Sequence, residues 1–414
     1  LEKYQADHGT VIVMEVKTGE VKAISNLGQT AGGKYYERLN YAIGESHEPG
    51  STFKLVNLVA ALEDKVIDTS SVIDTEKGAW KLYRHTIRDT KRGGHGKITM
   101  SEAFEVSSNV AFAKMIHEGY KNDPEKYVNR LMSMGIHKEL GLPVVGEGKP
   151  VLRYPGDKGW SGLSLAQMAY GYEVSMTPLQ TLAFYNAIAN NGEMVKPRLL
   201  KEVKEWNKTI EKFDKKVLNS AICSQSTVKK VQQILKNVVE KDHGTGHRMY
   251  SENFSMAGKT GTTQTNYVSK DKSKYEYISS FAGYFPADNP KYSCIVVIHK
   301  PDKSVGYYGA DVSGPVFKSV AQTVYATSPL TSEVDVKNVL IAKNEDSHQG
   351  YYKVAQQKYS SMPNVKGMCG MDAIAILENL GIEVEVKGNG KVKNQSITKG
   401  TDLKSVKKIV LELI

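Results

Sequence analysis

Three short runs carry the residue types of nucleophilic acyl transfer. In chain order they are Ser51-Thr52-Phe53-Lys54, Ser107-Ser108-Asn109 and Lys259-Thr260-Gly261. A serine hydroxyl is a poor nucleophile and needs an adjacent base. Ser51 and Lys54 stand at i and i+3, so on a helix they share one face and Lys54 can reach Ser51. A lysine serves as the base when burial and nearby cations lower its pKa, and the apolar residues that follow supply the burial. The start of a helix adds free backbone N–H groups where an oxyanion develops. Ser107 could shuttle a proton, and the Asn109 amide could hold a substrate carbonyl and Lys54. On a strand Thr260 and Thr262 face the same way. With Lys259 they would bind a carboxylate, and Gly261 would let a substrate backbone approach closely.

Singly, each run is weak. Ser51 also reads as an N-cap, Ser107 and Asn109 as a loop pair, and Lys259-Thr260-Gly261 as a plain turn. Ser-x-x-Lys recurs at 226–229, 269–272, 396–399 and 405–408, Ser-x-Asn at 251–253, and Lys-Thr-Gly at 17–19. Context chooses among them. Ser51 follows Pro49-Gly50 at the mouth of an apolar helix. Ser269 lies in a charged stretch, and the last two copies lie in a small tail. Ser251-Glu252-Asn253 stands too near Lys259 to come from another wall. Lys17-Thr18-Gly19 is the turn of a clean hairpin.

The elements that must position these residues follow from pattern. Residues 10–25 predict a hairpin, with strands Thr10 to Val16 and Val21 to Ile24. The run from Phe53 to Leu62 is apolar on most sides, as in a buried helix. Thr99-Met100-Ser101-Glu102 is a capping box, one helix ends near Val106, and the next runs from Val110 through His117. Thr177-Pro178 opens another helix that stops at Asn191-Gly192. Tyr277 to Phe285 and Tyr292 to His299 predict strands. Strands at both ends with helices between predict one α/β domain over 1–326, its sheet completed by distant segments. A polar linker is expected over 327–360. A tail domain is expected over 361–414, with a helix ending at Gly381 and strands Ile382 to Val386 and Lys404 to Leu413 flanking Gly388-Asn389-Gly390.

Composition narrows the function classes. The chain has 414 residues, of which 40% are hydrophobic and 24% charged, which excludes disordered and collagen-like classes. Lys+Arg 55 against Asp+Glu 45 gives +10. The basic residues are scattered, so no nucleic-acid partner is indicated. Cys223, Cys294 and Cys369 are too far apart for a zinc spacing. His243-Gly244-Thr245-Gly246-His247, like His85 and His95 beside Gly93-Gly94, reads as loop. No metal is expected. No apolar run approaches the ~18 residues of a membrane span, and no leader precedes Leu1, so the chain is either cytoplasmic or cut from an anchor.

The three motifs in this order resemble those of the class B penicillin-binding proteins, the D,D-transpeptidases that cross-link bacterial peptidoglycan. The resemblance spans roughly 7–330. It includes Asp7-His8-Gly9-Thr10, Glu173-Val174-Ser175-Met176-Thr177-Pro178, Ala257-Gly258-Lys259-Thr260-Gly261-Thr262, Phe281-Ala282-Gly283-Tyr284-Phe285-Pro286 and Tyr308-Gly309-Ala310. Residues Met362 to Thr401 resemble a PASTA domain, departing at Ile397 where that pattern often has proline. The layout looks like a division-specific enzyme, and sporulation-specific relatives share it.

The resemblance implies an antiparallel sheet flanked by helices plus a helical subdomain, followed by a small α+β PASTA unit. It implies Ser51 as nucleophile, Lys54 as base, and Ser107 and Asn109 as assistants. Lys259, Thr260, Gly261 and Thr262 would bind the D-Ala-D-Ala terminus, with the backbone N–H groups of Ser51 and Thr262 as oxyanion hole. It implies no cofactor. The implied partners are peptidoglycan stem peptides, β-lactams as covalent inhibitors, division-machinery membrane proteins and a glycosyltransferase. The implied location is extracytoplasmic, with the family's N-terminal anchor and pedestal outside this chain. Two other readings stay open. A serine β-lactamase would need a glutamate for deacylation that the sequence does not single out. A non-enzymatic peptidoglycan-binding or β-lactam-sensing module would acylate without releasing D-alanine, or would not acylate.

Overall fold

The computed structural model describes residues 1–267, 271–327 and 359–414. The chain divides into two compact units, Leu1–Ser328 and Pro329–Ile414. The expected linker at 327–360 lies almost wholly outside the described residues, as does Ser269.

The first unit is built on six antiparallel strands. They are β1 (His8–Glu15), β2 (Val21–Gln29), β3 (Tyr35–Glu37), β4 (Ala257–Thr265), β5 (Glu276–Phe285) and β6 (Tyr292–His299), in the order β4-β5-β6-β1-β2-β3. An early and a late segment of this unit thus meet at the centre, where His8 pairs with His299 and Ile12 with Ile295. Both faces of the central strands are covered. Ile12, Met14, Ile295 and Val297 enter one core, and Val13, Cys294, Val296 and Ile298 the other. That explains why these strands read as continuous apolar runs rather than alternating ones.

Helix α4 (Pro178–Ala189) lies in the first core, and every one of its residues is buried. Its Asn186 is tied to Val16 O and Ser293 Oγ at 3.0 and 2.7 Å. A buried amide is tolerable only with such partners. On the other face α6 (Ser313–Thr327) seats Phe317 against Phe281, with centroids 4.6 Å apart. Helices α1 (Lys54–Glu63), α2 (Met100–Glu105), α3 (Asn109–Tyr120) and α5 (Gln225–Glu240) complete the first core. The capping box at Thr99 and Glu102 forms, and Thr177 with Gln180 makes a second that the proline signal alone did not announce.

The tail unit packs a helix (Gly370–Asn379) on three strands, Glu383–Lys387, Val392–Gln395 and Lys408–Leu413. Two expectations are corrected. Residues 404–407 are not strand, since Leu403–Ser405 is a turn of 3₁₀ helix. The strand after Gly388-Asn389-Gly390 is Val392–Gln395, and Glu383–Lys387 pairs in parallel with Lys408–Leu413. The core needs Ile409 and Leu411 on the middle strand, where both are buried.

Candidate active site

Ser51 sits one turn before α1, in a 3₁₀ segment Gly50–Phe53 that runs into the helix at Lys54. A 3₁₀ turn eclipses i and i+3, which keeps Ser51 and Lys54 on one side. Gly50 takes φ 55, and a Cβ there would overlap Thr263 on β4, so only glycine fits the entry to this turn. The turn is braced from three sides. Gly50 N donates to Gly171 O (3.1 Å), Thr52 Oγ1 to Pro49 O (2.8 Å), and the α4 hydroxyl of Tyr185 to Thr52 O (2.9 Å). Ser51 Oγ has no hydrogen-bond partner among the described residues.

Lys54 is wholly buried. Its Nζ donates to Ser107 O at 2.8 Å, Ser107 Oγ at 3.2 Å and Asn109 Oδ1 at 2.7 Å. The first and second motifs are therefore joined through Lys54. Lys54 and Ser51 make no hydrogen bond to each other among the described residues, since these three acceptors hold the amine. Ser107 bridges α2 and α3 in a left-handed backbone, φ 58, which turns both its carbonyl and its hydroxyl toward Lys54. Ser108 caps α3 and holds the Asp89 carboxylate at 3.0 Å. Burial lowers the Lys54 pKa to about 7, against the opposing pull of Asp89.

Lys259, Thr260, Gly261 and Thr262 all lie on β4. Thr260 and Thr262 share one face and line the cavity that Ser51 opens into. Thr260 Oγ1 donates to Thr245 Oγ1 (2.8 Å), and Thr262 Oγ1 accepts from Gly309 N (3.0 Å). Two details differ from expectation. Lys259 is wholly buried behind the wall rather than on it, with Nζ 3.2 Å from Thr260 O and over the Phe104 ring. Burial first, and then the charge of Lys54, hold its pKa well below the usual lysine value. Gly261 is required by packing, since a Cβ there would overlap Ser280 Oγ and press on Thr52. The space expected for a substrate backbone is taken by the protein's own strand and nucleophile turn.

The cavity has a volume of about 610 Å³. Ser51, Ser107, Asn109, Thr260 and Thr262 come from three separate stretches of chain and meet on its wall. Several wall residues escaped sequence reasoning. Thr245 belongs to the segment read as a loop. That loop is clamped by Glu105, a wholly buried carboxylate that accepts from Asn237 (2.8 Å), Lys241 (3.0 Å) and His243 (2.7 Å). Burial alone would raise the Glu105 pKa, but the hydrogen bonds led by His243 outweigh it and hold it below its usual value. Five tyrosines also line the cavity: Tyr170, Tyr172, Tyr277, Tyr307 and Tyr308. Apart from Tyr308, which stands in the Tyr308-Gly309-Ala310 run, their sequence signal is an excess of tyrosine, 23 against 9 Phe, with pairs at 170/172 and 307/308. Their flat apolar faces and polar tips suit a wall that meets both water and ligand.

Residues 9–322 match the penicillin binding protein transpeptidase domain, and residues 360–413 match the PASTA domain. The chain is 30% identical to stage V sporulation protein D of Bacillus subtilis, over 98% of this chain and 61% of that protein. It is 28% identical to the peptidoglycan D,D-transpeptidase FtsI of Escherichia coli, over 78% of this chain and 52% of that protein. The chain thus spans about half to three-fifths of these relatives. Penicillin binding protein 3 of Mycobacterium tuberculosis, solved with aztreonam, superposes with a TM-score of 0.67 at 29% identity, covering 80% of this chain and 76% of that one. The transpeptidase domain of Burkholderia pseudomallei penicillin-binding protein 3 gives 0.65 at 27%, covering 79% and 90%.

Proposed function

The chain belongs to the penicillin-binding protein transpeptidase family, and on that premise we propose that it cross-links peptidoglycan stem peptides through an acyl-serine intermediate. One observation carries the reading: a wholly buried lysine, with pKa near 7, joins Ser107 and Asn109 behind a cavity that also exposes Ser51, Thr260 and Thr262. Ser51 Oγ attacks the carbonyl carbon of the penultimate D-alanine, and its proton passes to neutral Lys54, which gives up one of its three donations so that its lone pair can receive it. The tetrahedral oxyanion is stabilised by backbone N–H groups of Ser51 and Thr262. The C–N bond breaks, the departing D-alanine amine gains a proton relayed through Ser107, and an ester on Ser51 remains. An amine from a second stem peptide then displaces Ser51. Thr260 and Thr262 hold the terminal carboxylate, with Lys259 adding positive potential from behind.

A β-lactam fits the same site, and ring opening leaves its amine tethered so that the ester persists. No glutamate lines the cavity among the described residues, and the acid on its wall, Asp311, is paired with Arg248. The glutamate that a β-lactamase of this kind would need for deacylation is therefore not on that wall, which favours the transpeptidase. Incubation with a peptide ending in D-Ala-D-Ala should release D-alanine. Stable penicillin labelling without any D-alanine release would leave only a sensing module. The same reading places the domain outside the cytoplasmic membrane, with a glycosyltransferase and division or sporulation membrane proteins as partners. In-cell crosslinking that recovers none of these would remove that extension.

A pH dependence follows. The base must be unprotonated, so the second-order rate of acylation should climb as pH rises through about 7 and flatten above it. A flat profile between pH 5.5 and 8.5, both bounds approximate, would mean Lys54 is not the base.

A further inference from the structure

We propose that His8, Glu45 and His299 form a binding site for a zinc-class divalent cation, separate from the acylation cavity. His8 opens β1 and His299 closes β6, and the two are register partners at one end of the sheet. Glu45 follows a short helix, Tyr41–Gly44, on the segment that leads to the Ser51 turn. Glu45 Oε2 stands 2.6 Å from His8 Nε2, and Glu45 Oε1 stands 3.7 Å from His299 Nδ1. The three donor atoms lie within 4.8 Å of one another. Ligands about 2.0–2.2 Å from a tetrahedral ion lie roughly 3.3 Å apart, so small side-chain rotations would close the set.

The surroundings fit a metal better than a plain ion pair. Both imidazoles are buried, and Glu45 is half-buried, which leaves a way in from solvent. A cavity of about 490 Å³, lined by Tyr41, Gly44 and Glu45, reaches it. The other nitrogen of His8, Nδ1, is 3.1 Å from the Asp7 carboxylate. That is the carboxylate–histidine support which orients an imidazole toward a metal. The His8 ring is stacked on both Tyr41 and His299, each at 4.1 Å, which limits it to small rotations. His47 stands edge-on to His299 at 5.1 Å, and its Nδ1 is buried without a partner. Two imidazoles and one carboxylate with an open fourth position suit zinc and its transition-metal neighbours, and not calcium or magnesium. Sequence spacing could not show it, because the ligands come from opposite ends of the domain. A bound ion would staple the segment entering the Ser51 turn to the sheet, a positioning role that does not depend on the proposed activity.

The test is titration of the chelator-treated full chain with ZnCl₂, followed by calorimetry and thermal melting. One saturable site per chain is expected. The melting temperature should rise by roughly 5 °C at a hundredfold excess over Kd. Glu45→Gln, at a half-exposed position that keeps its shape, should weaken binding at least ~10-fold, and so should His8→Gln. His85→Gln, at an exposed histidine elsewhere, should leave binding unchanged. Circular dichroism checks that each variant is folded, and Glu45→Gln decides the matter if His8→Gln is not. Absence of one-to-one binding, or binding by folded Glu45→Gln equal to wild type, would overturn the proposal.

Discussion

Ser51→Ala should abolish covalent labelling by benzylpenicillin while the chain stays folded. The hydroxyl of Ser51 makes no hydrogen bond among the described residues, so its removal should change stability by no more than about 0.5 kcal/mol, the scale of a surface substitution. The chemistry has no stand-in. The neighbouring Thr52 hydroxyl is buried and donates to Pro49 O, and Ser107 Oγ accepts from Lys54. Neither is free to attack a ligand carbonyl. Intact-mass measurement after long incubation is the check. An adduct that still forms on a folded Ser51→Ala chain would remove the nucleophile assignment, and with it the roles given to Lys54 and Ser107.

The two Lys-Thr-Gly copies should separate sharply. Lys259→Ala should slow β-lactam acylation by a factor on the order of 10²–10³, the loss associated with one preorganised electrostatic stabiliser. Lys17→Ala should change the rate less than about twofold, because an exposed charge is screened and worth little. Lys17 lies exposed in the β1–β2 turn, beside Gly19 at φ 73. Lys259 is buried behind Thr260, close enough for the Lys54 charge to disfavour its own. An arriving carboxylate would restore that charge where the dielectric is low and its effect large. The second-order acylation rate of each variant is the measurement. Equal losses, or a larger loss at Lys17, would mean that the buried copy is not the one that acts.

Much of this was legible from residue pattern, for reasons the structure makes plain. Helix α1 reads as buried because it is buried on every side. Thr260 and Thr262 share a face because β4 is regular through both. What pattern could not supply is contact across the sequence. The i, i+3 spacing brings Lys54 near Ser51, but Ser107 and Asn109, from the far side of the cleft, capture its three hydrogen bonds. Gly261 reads as room for a ligand until Thr52 and Ser280 are seen against it. Thr245 sits in a stretch whose glycines say only loop, and its place on the wall depends on Glu105, a charge whose burial no local signal reveals.

The most direct measurement is the site of acylation on the unmodified chain. After incubation with benzylpenicillin, the intact mass should rise by one acyl group per chain and remain there, and peptide mapping should place that group on Ser51. An adduct mapped to any other residue, or penicillin hydrolysed with no mass accumulating on the chain, would contradict the account.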